Sequence, residues 1–147
     1  MAYQRELILE RLTVISEGLG VTAARDVLNF DEAQLPAIAV VEGDEEADED
    51  DPTNRPSTAP RRVHMIPHII IHTGGLSQNL GPALNALYAR LVKAVLTDAT
   101  LLSLVWDGNG RGVRYLGMES DLALGRTMFG NIAAKFRFTY VLDPNSL

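Results

Sequence analysis

The clearest pattern of apolar and polar positions in this chain predicts a long amphipathic helix that begins at Gly81-Pro82. Its apolar residues recur at intervals of three and four and form one continuous stripe: Leu84, Leu87, Tyr88, Leu91, Val92, Val95 and Leu96. Proline is common at the first helical position, because its missing amide hydrogen leaves no donor unpaired there. Asp98 is then placed to cap a short helical continuation through Val105.

A second amphipathic helix is predicted near the start of the chain, over Ala2–Gly18. Its apolar positions share one face, which carries Leu7, Ile8, Leu12 and Ile15. Gly18 and Gly20 are expected to end it. The following segment, Val21–Asn29, fits no single period, and Phe30–Leu35 is typical of a turn.

Strand-like patterns occur in four further segments, Ala37–Val41, Arg61–Thr73, Val113–Met118 and Phe129–Leu142. The last of these alternates with a period of two, which predicts one apolar and one polar face. In the second, the odd positions form a continuous apolar face, while the even positions alternate histidine and isoleucine. Pro67 within it predicts an edge position or a bulge, because proline donates no hydrogen bond to a neighbouring strand.

The order of these elements lacks a repeating strand–helix–strand rhythm, and this predicts the α+β class. We expect a single domain over residues 1–147, with a mostly antiparallel sheet of about four strands and two helices packed on one face. Within it, Glu42–Pro60 is the longest irregular stretch, and residues 43–60 are predicted to form an extended acidic arm that contains three prolines. Asp107–Gly112 is typical of a turn.

Composition adds several expectations about the class of protein. A chain of 147 residues with 46% hydrophobic and 22% charged residues is typical of one folded domain. The sequence contains no cysteine, which excludes disulfides, thiolate metal sites and a cysteine nucleophile. No apolar run approaches the ~20 residues that span a bilayer. The acidic, amphipathic N-terminal pattern does not resemble a secretory signal, so we expect a soluble protein.

The net charge of −6 is concentrated in one short run. Eight of the 19 acidic residues lie there, namely Glu42, Asp44, Glu45, Glu46, Asp48, Glu49, Asp50 and Asp51. A calcium loop of the EF-hand type needs glycine at its sixth and glutamate at its twelfth position. Counted from Asp44, these positions hold Glu49 and Arg55, so the pattern fails. A solvated acidic loop is the plainer interpretation.

Three histidines, His64, His68 and His72, are spaced like a set of metal ligands. On a strand, however, successive members are about 13 Å apart, at a rise of about 3.3 Å per residue. One metal ion requires donor atoms about 2 Å from its centre, so this strand cannot bind a metal by itself. A half-polar strand face is the plainer interpretation, and contact with a neighbour in a symmetric oligomer is the functional alternative.

No other motif predicts catalysis. The segment Gly108–Gly112 has glycines like a phosphate loop, but it precedes a strand instead of opening a helix. The segment Gly74–Gly81 lacks the pattern of a nucleophile elbow. The adjacent Asp31 and Glu32 are typical of turn and capping residues. We therefore expect no enzyme activity, no metal and no cofactor.

Two segments resemble the tail terminator proteins of long-tailed phages. They are FDEAQLPAIAVVEGDEE, residues Phe30–Glu46, and the closing strand FRFTYVLDP, residues Phe136–Pro144. The predicted order of elements resembles that family over nearly the whole chain. Of the shared motifs, the stretch from FDEA through LPAIAV is the distinctive one. The three histidines and the strength of the acidic run are not part of this resemblance.

The resemblance implies a structural virion protein without catalysis or cofactor. Members of that family form a ring, typically of six copies, on the head-proximal end of the tail tube. The ring stops further polymerisation of tube subunits and presents a surface for the head–tail connector, and DNA later passes through its lumen. The implied partners are further copies of the chain, the tube protein and the connector. The implied locations are the virion tail and, during assembly, the host cytoplasm.

Three sets of charged and histidine residues are candidates for the subunit or partner interface. The first is the acidic run defined above, which would either face the lumen and repel DNA or steer docking onto basic surfaces. The second comprises Arg55, Arg61 and Arg62, which would pair with the acids of a neighbouring copy. The third comprises the three histidines.

Two other functions stay open at this point. One is another neck protein of the same virion, such as a tail-completion or head–tail joining subunit. The other, more remote, is a small hydrolase or nucleotide-binding domain.

Overall fold

Three helices and seven strands make up the described part of the chain, which comprises residues 3–27, 29–48, 55–75, 77–106, 112–123 and 128–147 of a computed structural model. The helices are α1 (Gln4–Glu17), α2 (Ser77–Thr97) and α3 (Ala99–Leu104). The strands are β1 (Thr22–Arg25), β2 (Ala37–Val41), β3 (Glu45–Ala47), β4 (Arg61–Met65), β5 (His68–Gly75), β6 (Val113–Ala123) and β7 (Met128–Leu142). Short 3-10 turns cover Glu32–Gln34 and Pro144–Ser146.

The longest strand, β7, lies at the centre of one sheet. β6 pairs with one side of β7, while β5 and then β4 pair with its other side. β2 and β1 extend the sheet beyond β5, and β3 extends it beyond β4. The pair of β1 with β2 is parallel, and the other pairs in the described part are antiparallel. The sheet therefore has edges at β6, β3 and β1.

The helices pack on one face of this sheet and enclose a single apolar core. From α2 the core takes four residues of the predicted stripe, Leu84, Leu87, Leu91 and Val95. From β7 it takes the even positions Ile132, Ala134, Phe136, Phe138 and Tyr140. α1 contributes Ile8, Leu9, Leu12 and Ile15. The α+β class is confirmed, and the predicted core face of β7 is buried as expected. Two predicted core positions are wrong: in α1 the buried residue is Leu9 instead of Leu7, and Leu96 at the end of the α2 stripe is exposed.

Four strands were predicted, and the described part of the chain has seven. Two of the additional strands, β1 and β3, are short and carry weak patterns. β1 lies in the segment that fits no period, and it forms because it pairs in parallel with β2. β3 lies in the stretch predicted to be irregular, where Glu46 pairs in register with His64 of β4. The Glu45 carboxylate also accepts hydrogen bonds from the hydroxyls of Tyr3 and Tyr140. These contacts hold an acidic strand that its charge alone would not favour.

The predicted strand Arg61–Thr73 is divided into β4 and β5 at Ile66 and Pro67. Pro67 has no amide hydrogen, so the ladder to β7 is interrupted there. The register nevertheless continues across the break, from Met65 opposite Phe138 to His68 opposite Lys135. The odd positions consequently stay buried on the helix side, as predicted: Val63, Met65, Pro67, Ile69 and Ile71.

Two further predictions need correction or fall outside the described residues. α2 begins at Ser77, not at Gly81, so Pro82 lies inside the helix. The first four amides of a helix have no partner within it, so a proline this close to the start removes only one further bond. The predicted turn Asp107–Gly112 lies outside the described residues except for Gly112. Glu49, Asp50 and Asp51 of the acidic run also lie outside them.

The short helix α3 begins as predicted, at Asp98. The Asp98 carboxylate accepts a hydrogen bond from the Leu101 amide at 2.8 Å, which caps the helix. The same carboxylate accepts two hydrogen bonds of 2.8 Å from the guanidinium of Arg11 in α1. This bidentate pair ties α1 to α3 and holds the pKa of Asp98 below its ordinary value, although partial burial acts in the opposite direction.

Replacing Asp98 by alanine is expected to lower the free energy of unfolding by about 1–2 kcal/mol, mainly through loss of the cap. Asp98→Asn keeps a capping oxygen and loses the charge, so its loss is expected to be smaller. Because the folded-state pKa is lowered, the charge contribution is complete above the unfolded pKa of about 3.9 and disappears as pH falls through the folded value. Urea unfolding should therefore show a gap between wild type and Asp98→Asn at pH 7 that narrows near pH 3. A gap independent of pH would contradict this.

Candidate functional site

The face of the sheet opposite the helices carries a polar cleft of about 640 Å³. We call it the outer-face cleft, and its lining residues are Asp44, Glu46, Asp48, His64, Ile66, His68 and Arg137. It forms where β3 lies beside β4, next to the break between β4 and β5. Acids of the predicted arm and two of the predicted histidines therefore meet in one place.

A close main-chain contact holds β3 at the edge of this cleft. Gly43 lies between β2 and β3, and an added Cβ would come within 1.8 Å of the Ile66 carbonyl oxygen. Only glycine permits such an approach. The guanidinium of Arg5 donates a hydrogen bond to the Gly43 carbonyl oxygen, which anchors the same point to α1. The acidic strand is therefore fixed against the break in β4–β5.

The acids of the run fall into two groups according to their contacts. Three are engaged within the chain: Glu42 pairs with Arg25 at 3.1 Å, Asp48 pairs with Arg62 at 2.8 Å, and Glu45 accepts from two tyrosines. Asp44 and Glu46 are exposed and line the cleft. The plain interpretation of a uniformly solvated acidic loop thus fits only part of the described run.

Glu45 also changes the chemistry of its tyrosine partners. Burial is the main reason that the pKa of Tyr140 is raised, and the hydrogen bond to Glu45 raises it further. The same two causes raise the pKa of Tyr3 to about 12. Both hydroxyls therefore stay protonated near neutral pH and keep donating to the carboxylate. This contact joins β3 to α1 and β7.

Arg61 and Arg62 of the candidate arginines make contacts within their own chain. Arg62 pairs with Asp48, and its guanidinium lies 4.5 Å from the centre of the Trp106 ring. Arg61 donates to the carbonyl oxygens of the loop residues Ser57, at 2.6 Å, and Ala59, at 3.4 Å. Arg55 is exposed. Pairing of these arginines with a neighbouring copy stays a prediction.

The three histidines do not form one cluster. His64 and His68 line the cleft, and the Nδ1 atom of His64 is buried without a hydrogen-bond partner in the described structure. His72 lies elsewhere on the same face, where its ring is 5.4 Å from that of Phe30, and burial lowers its pKa. Within the residues that the structure describes, no group of three or more His, Asp or Glu side chains is arranged to hold a metal ion.

Sequence reasoning missed Arg114 and Arg137, which lie on the same face as the cleft. They stand directly opposite each other in the pairing of β6 with β7. The odd positions of β7 indicated that Arg137 is on the polar face, but its neighbours depend on strand register. Register is set by contacts that are distant in sequence, so no local signal revealed this pair.

The outer edge of β6 exposes apolar side chains. Tyr115, Leu116 and Met118 are 44%, 40% and 42% exposed. The Tyr115 ring packs edge-on against Phe136 with centroids 5.6 Å apart, and its hydroxyl contacts that of Tyr88 in α2. Among the described strands, β6 pairs with β7 alone. It therefore offers a second surface for another chain, next to the arginine pair.

The side chains at these two surfaces can bind another molecule through polar and apolar contacts. The cleft lining supplies carboxylates, two imidazoles and a guanidinium, which suit ion pairs and hydrogen bonds with a polar partner. The residues that line it include no hydroxyl or thiol that could serve as a nucleophile.

No family model matches this chain, and no curated protein matches it either. In the part of the chain that is described, no helix is long and apolar enough to cross a membrane.

Proposed function

We propose that this chain is the repeating subunit of a phage tail terminator ring. In this role several copies, typically six in the family it resembles, close a ring on the head-proximal end of the tail tube. The observation that carries the proposal is the resemblance of Phe30–Glu46, supported by that of Phe136–Pro144. The proposed role involves no catalysis and requires no cofactor.

The structure of these two segments is compatible with a structural role. The FDEA stretch forms a 3-10 turn in which Asp31 and Gln34 cap each other reciprocally. This turn leads directly into β2, which is almost entirely buried between β1 and β5. The second segment is the end of the central strand β7 together with the turn that Asp143 caps. Both segments thus belong to the rigid frame that would carry interaction surfaces.

Two surface features support assembly with other chains. An edge strand with exposed apolar residues is a ready site for another polypeptide, and β6 has this character through Tyr115, Leu116 and Met118. The outer-face cleft adds charged groups that favour specific docking. A head-to-tail contact between identical subunits closes into a ring when the rotation between them allows it.

In the proposed ring the subunits would stop addition of tube protein and then receive the head–tail connector. Unpaired acids on the outer face would keep DNA from binding if that face lines the lumen, because like charges repel. They would instead steer docking if the face meets a basic partner. Either role would fall to carboxylates of the acidic run that the contacts between copies leave exposed.

Electron microscopy of virions or of assembled necks tests the proposal by locating the protein. Antibody or tag density is expected in a single layer directly above the last ring of tube protein. Density one layer higher, within the connector, would contradict the terminator role and indicate a different neck protein. If the tagged subunit is absent from virions altogether, both the terminator role and the role of another neck protein are excluded.

A thermal-shift screen tests the enzyme alternative. The proposed role predicts an unchanged melting temperature with divalent metals, nucleotides and sugar phosphates, because the chain has no resident ligand in this role. A rise of several degrees with one of these compounds, together with turnover of a matching substrate, would contradict the proposal.

A further inference from the structure

The outer face of the sheet is electrically polarised from one edge to the other. One row of paired residues crosses the sheet from edge to edge, through Glu45, Met65, Phe138 and Val113. Met65 and Phe138 of this row point into the core on the helix side, so the residues next to them in sequence lie on the outer face. Beside this row, the β3 edge carries the exposed acids Asp44 and Glu46. β6 carries Arg114, and Arg137 lies opposite it on the central strand β7, where it lines the same cleft as the two acids. Because β3 and β6 are separated by three strand spacings, the acids and Arg114 lie about 14 Å apart, whereas Arg137 is only two spacings, about 10 Å, from β3.

The two arginines at the β6 side are an unfavourable pair in the single chain. Arg114 and Arg137 are directly opposite each other across two antiparallel strands, where like charges destabilise a sheet. Neither forms an ion pair with any residue in the described structure, and the Nε atom of Arg137 is buried without a partner. The nearby Glu119 does not relieve them, because it pairs with Lys135. A carboxylate from another chain beside these arginines would therefore be stabilising.

The acids at the β3 edge have the opposite charge and also lack ion-pair partners in the described structure. Asp44 and Glu46 form no ion pair within the part of the chain that the structure covers, whereas their neighbours Glu42 and Asp48 pair with arginines of the same chain. Both are exposed, so a partner can reach them. Within the described residues, a copy of this chain therefore has carboxylates without an ion pair at the β3 edge and the Arg114 guanidinium without one at the β6 edge.

The strand directions allow these two edges to meet. β3, β4, β7 and β6 alternate in direction, so β3 and β6 run antiparallel to each other. If the β6 edge of one copy lies beside the β3 edge of the next, with the same face outward, the adjoining strands are again antiparallel. The bulge between Tyr115 and Gly117 interrupts the main-chain groups of the β6 edge. Side chains would therefore dominate this contact.

We propose that neighbouring copies in the ring are joined by ion pairs from Arg114 of one copy to Asp44 and Glu46 of the next. The same contact covers the exposed apolar residues at the start of β6. It is head-to-tail, with a different surface on each side, which is the kind of contact that closes into a ring. This inference rests on the proposed ring and identifies the residues that hold it together.

Charge reversal and charge exchange test this contact. The oligomeric mass of the full chain is measured by light scattering over a concentration series at low salt. Arg114→Glu alone and Asp44→Arg alone are each expected to raise the concentration for half-assembly by about tenfold. Both changes in one chain recreate an opposite pair at every contact, and assembly is expected to recover to within a few-fold of wild type. Added salt is expected to weaken wild-type assembly.

Matched controls separate this effect from a general change in charge or folding. Lys93→Glu on α2 and Glu10→Lys on α1 make the same charge changes at exposed helix positions, and they are expected to leave assembly unchanged. Thermal melting of each variant as a monomer checks the fold. Arg114→Glu is not expected to melt earlier, because it replaces a like-charge pair with an opposite-charge pair.

The outcomes distinguish this contact from the ring itself. If wild type forms rings and the single reversals form them equally well, or the exchanged pair fails to restore them, the contact is wrong and the proposed ring stands. If wild type remains a single copy and leaves tube ends bare, the proposed function fails and this contact fails with it.

Discussion

Replacing Leu91 by alanine is expected to lower the free energy of unfolding by about 2–5 kcal/mol. Leu91 lies in the middle of α2, it is fully buried, and it belongs to the core formed with the central strand β7. The substitution removes three carbon atoms and leaves a cavity that the surrounding side chains fill only partly. Urea unfolding followed by circular dichroism measures the loss directly.

Leu96→Ala is the matched control, because it makes the same chemical change in the same helix. Leu96 is 38% exposed, so less apolar contact is lost and the expected cost is clearly smaller than for Leu91. Equal costs at the two positions would contradict the described packing. A cost near zero at Leu91 would mean that the apolar stripe of α2 faces a partner that is absent from the assay.

Replacing Gly43 by alanine is expected to destabilise the protein by about 3 kcal/mol, at the upper end of the usual range for overpacking. The added Cβ would lie 1.8 Å from the Ile66 carbonyl oxygen and 2.6 Å from its carbon, both of which are main-chain atoms. No side-chain rotation relieves this clash, so the β2–β3 connection must move away from the break between β4 and β5. Hydrogen exchange should then show faster exchange of β3 amides as well as a lower stability.

Gly81→Ala serves as the control for this substitution. Gly81 lies within α2, and nothing is within 4 Å of an added Cβ there. Alanine is favoured over glycine inside a helix, but the ring of Pro82 disfavours the helical conformation for a preceding residue that carries a Cβ. The two effects oppose each other, so this change is expected to alter stability by less than about 1 kcal/mol. A Gly43→Ala protein as stable as wild type would show that β3 does not lie against Ile66 as described.

The periodic patterns that extend over many residues predicted the main helices and strands of this fold. The apolar stripe of α2 and the alternation in β7 each extend over many residues, and burial against one core requires such periodicity. The alternation also predicted the faces of β4 and β5 correctly, although these strands are separated by Pro67. A face depends only on the parity of positions, and parity survives the break because the register to β7 continues.

The short and charged strands could not be predicted from local patterns. β1 has four residues and β3 has three, which is too short to show a period. β3 is stabilised by partners that are distant in sequence, such as Tyr140, whose hydroxyl donates to Glu45. The start of α2 was missed for a related reason. Proline is favoured at the first position of a helix, so Gly81-Pro82 indicated a start there, whereas Pro82 lies in the second turn of a helix that begins at Ser77.

The candidate site was predictable as a list of residues but not as an arrangement. The acidic run and the histidines were identified from the sequence. Which acids are engaged within the chain (Glu42, Glu45 and Asp48) and which line the cleft without an ion pair (Asp44 and Glu46) is seen only in the contacts of the folded chain. The position of Arg114 opposite Arg137 depends on the register between β6 and β7. Contacts between residues distant in sequence therefore determine which acids of the run are engaged within the chain and which can contact a partner.

Electron micrographs of tail tubes, polymerised with and without the purified protein, test the central claim most directly. The account predicts that the protein forms one ring-shaped layer at one end of each tube and that tubes stop growing once it is bound. The mean tube length should therefore fall as more protein is added. Tubes of unchanged length with both ends bare, formed beside a protein that remains a single copy, would contradict the account.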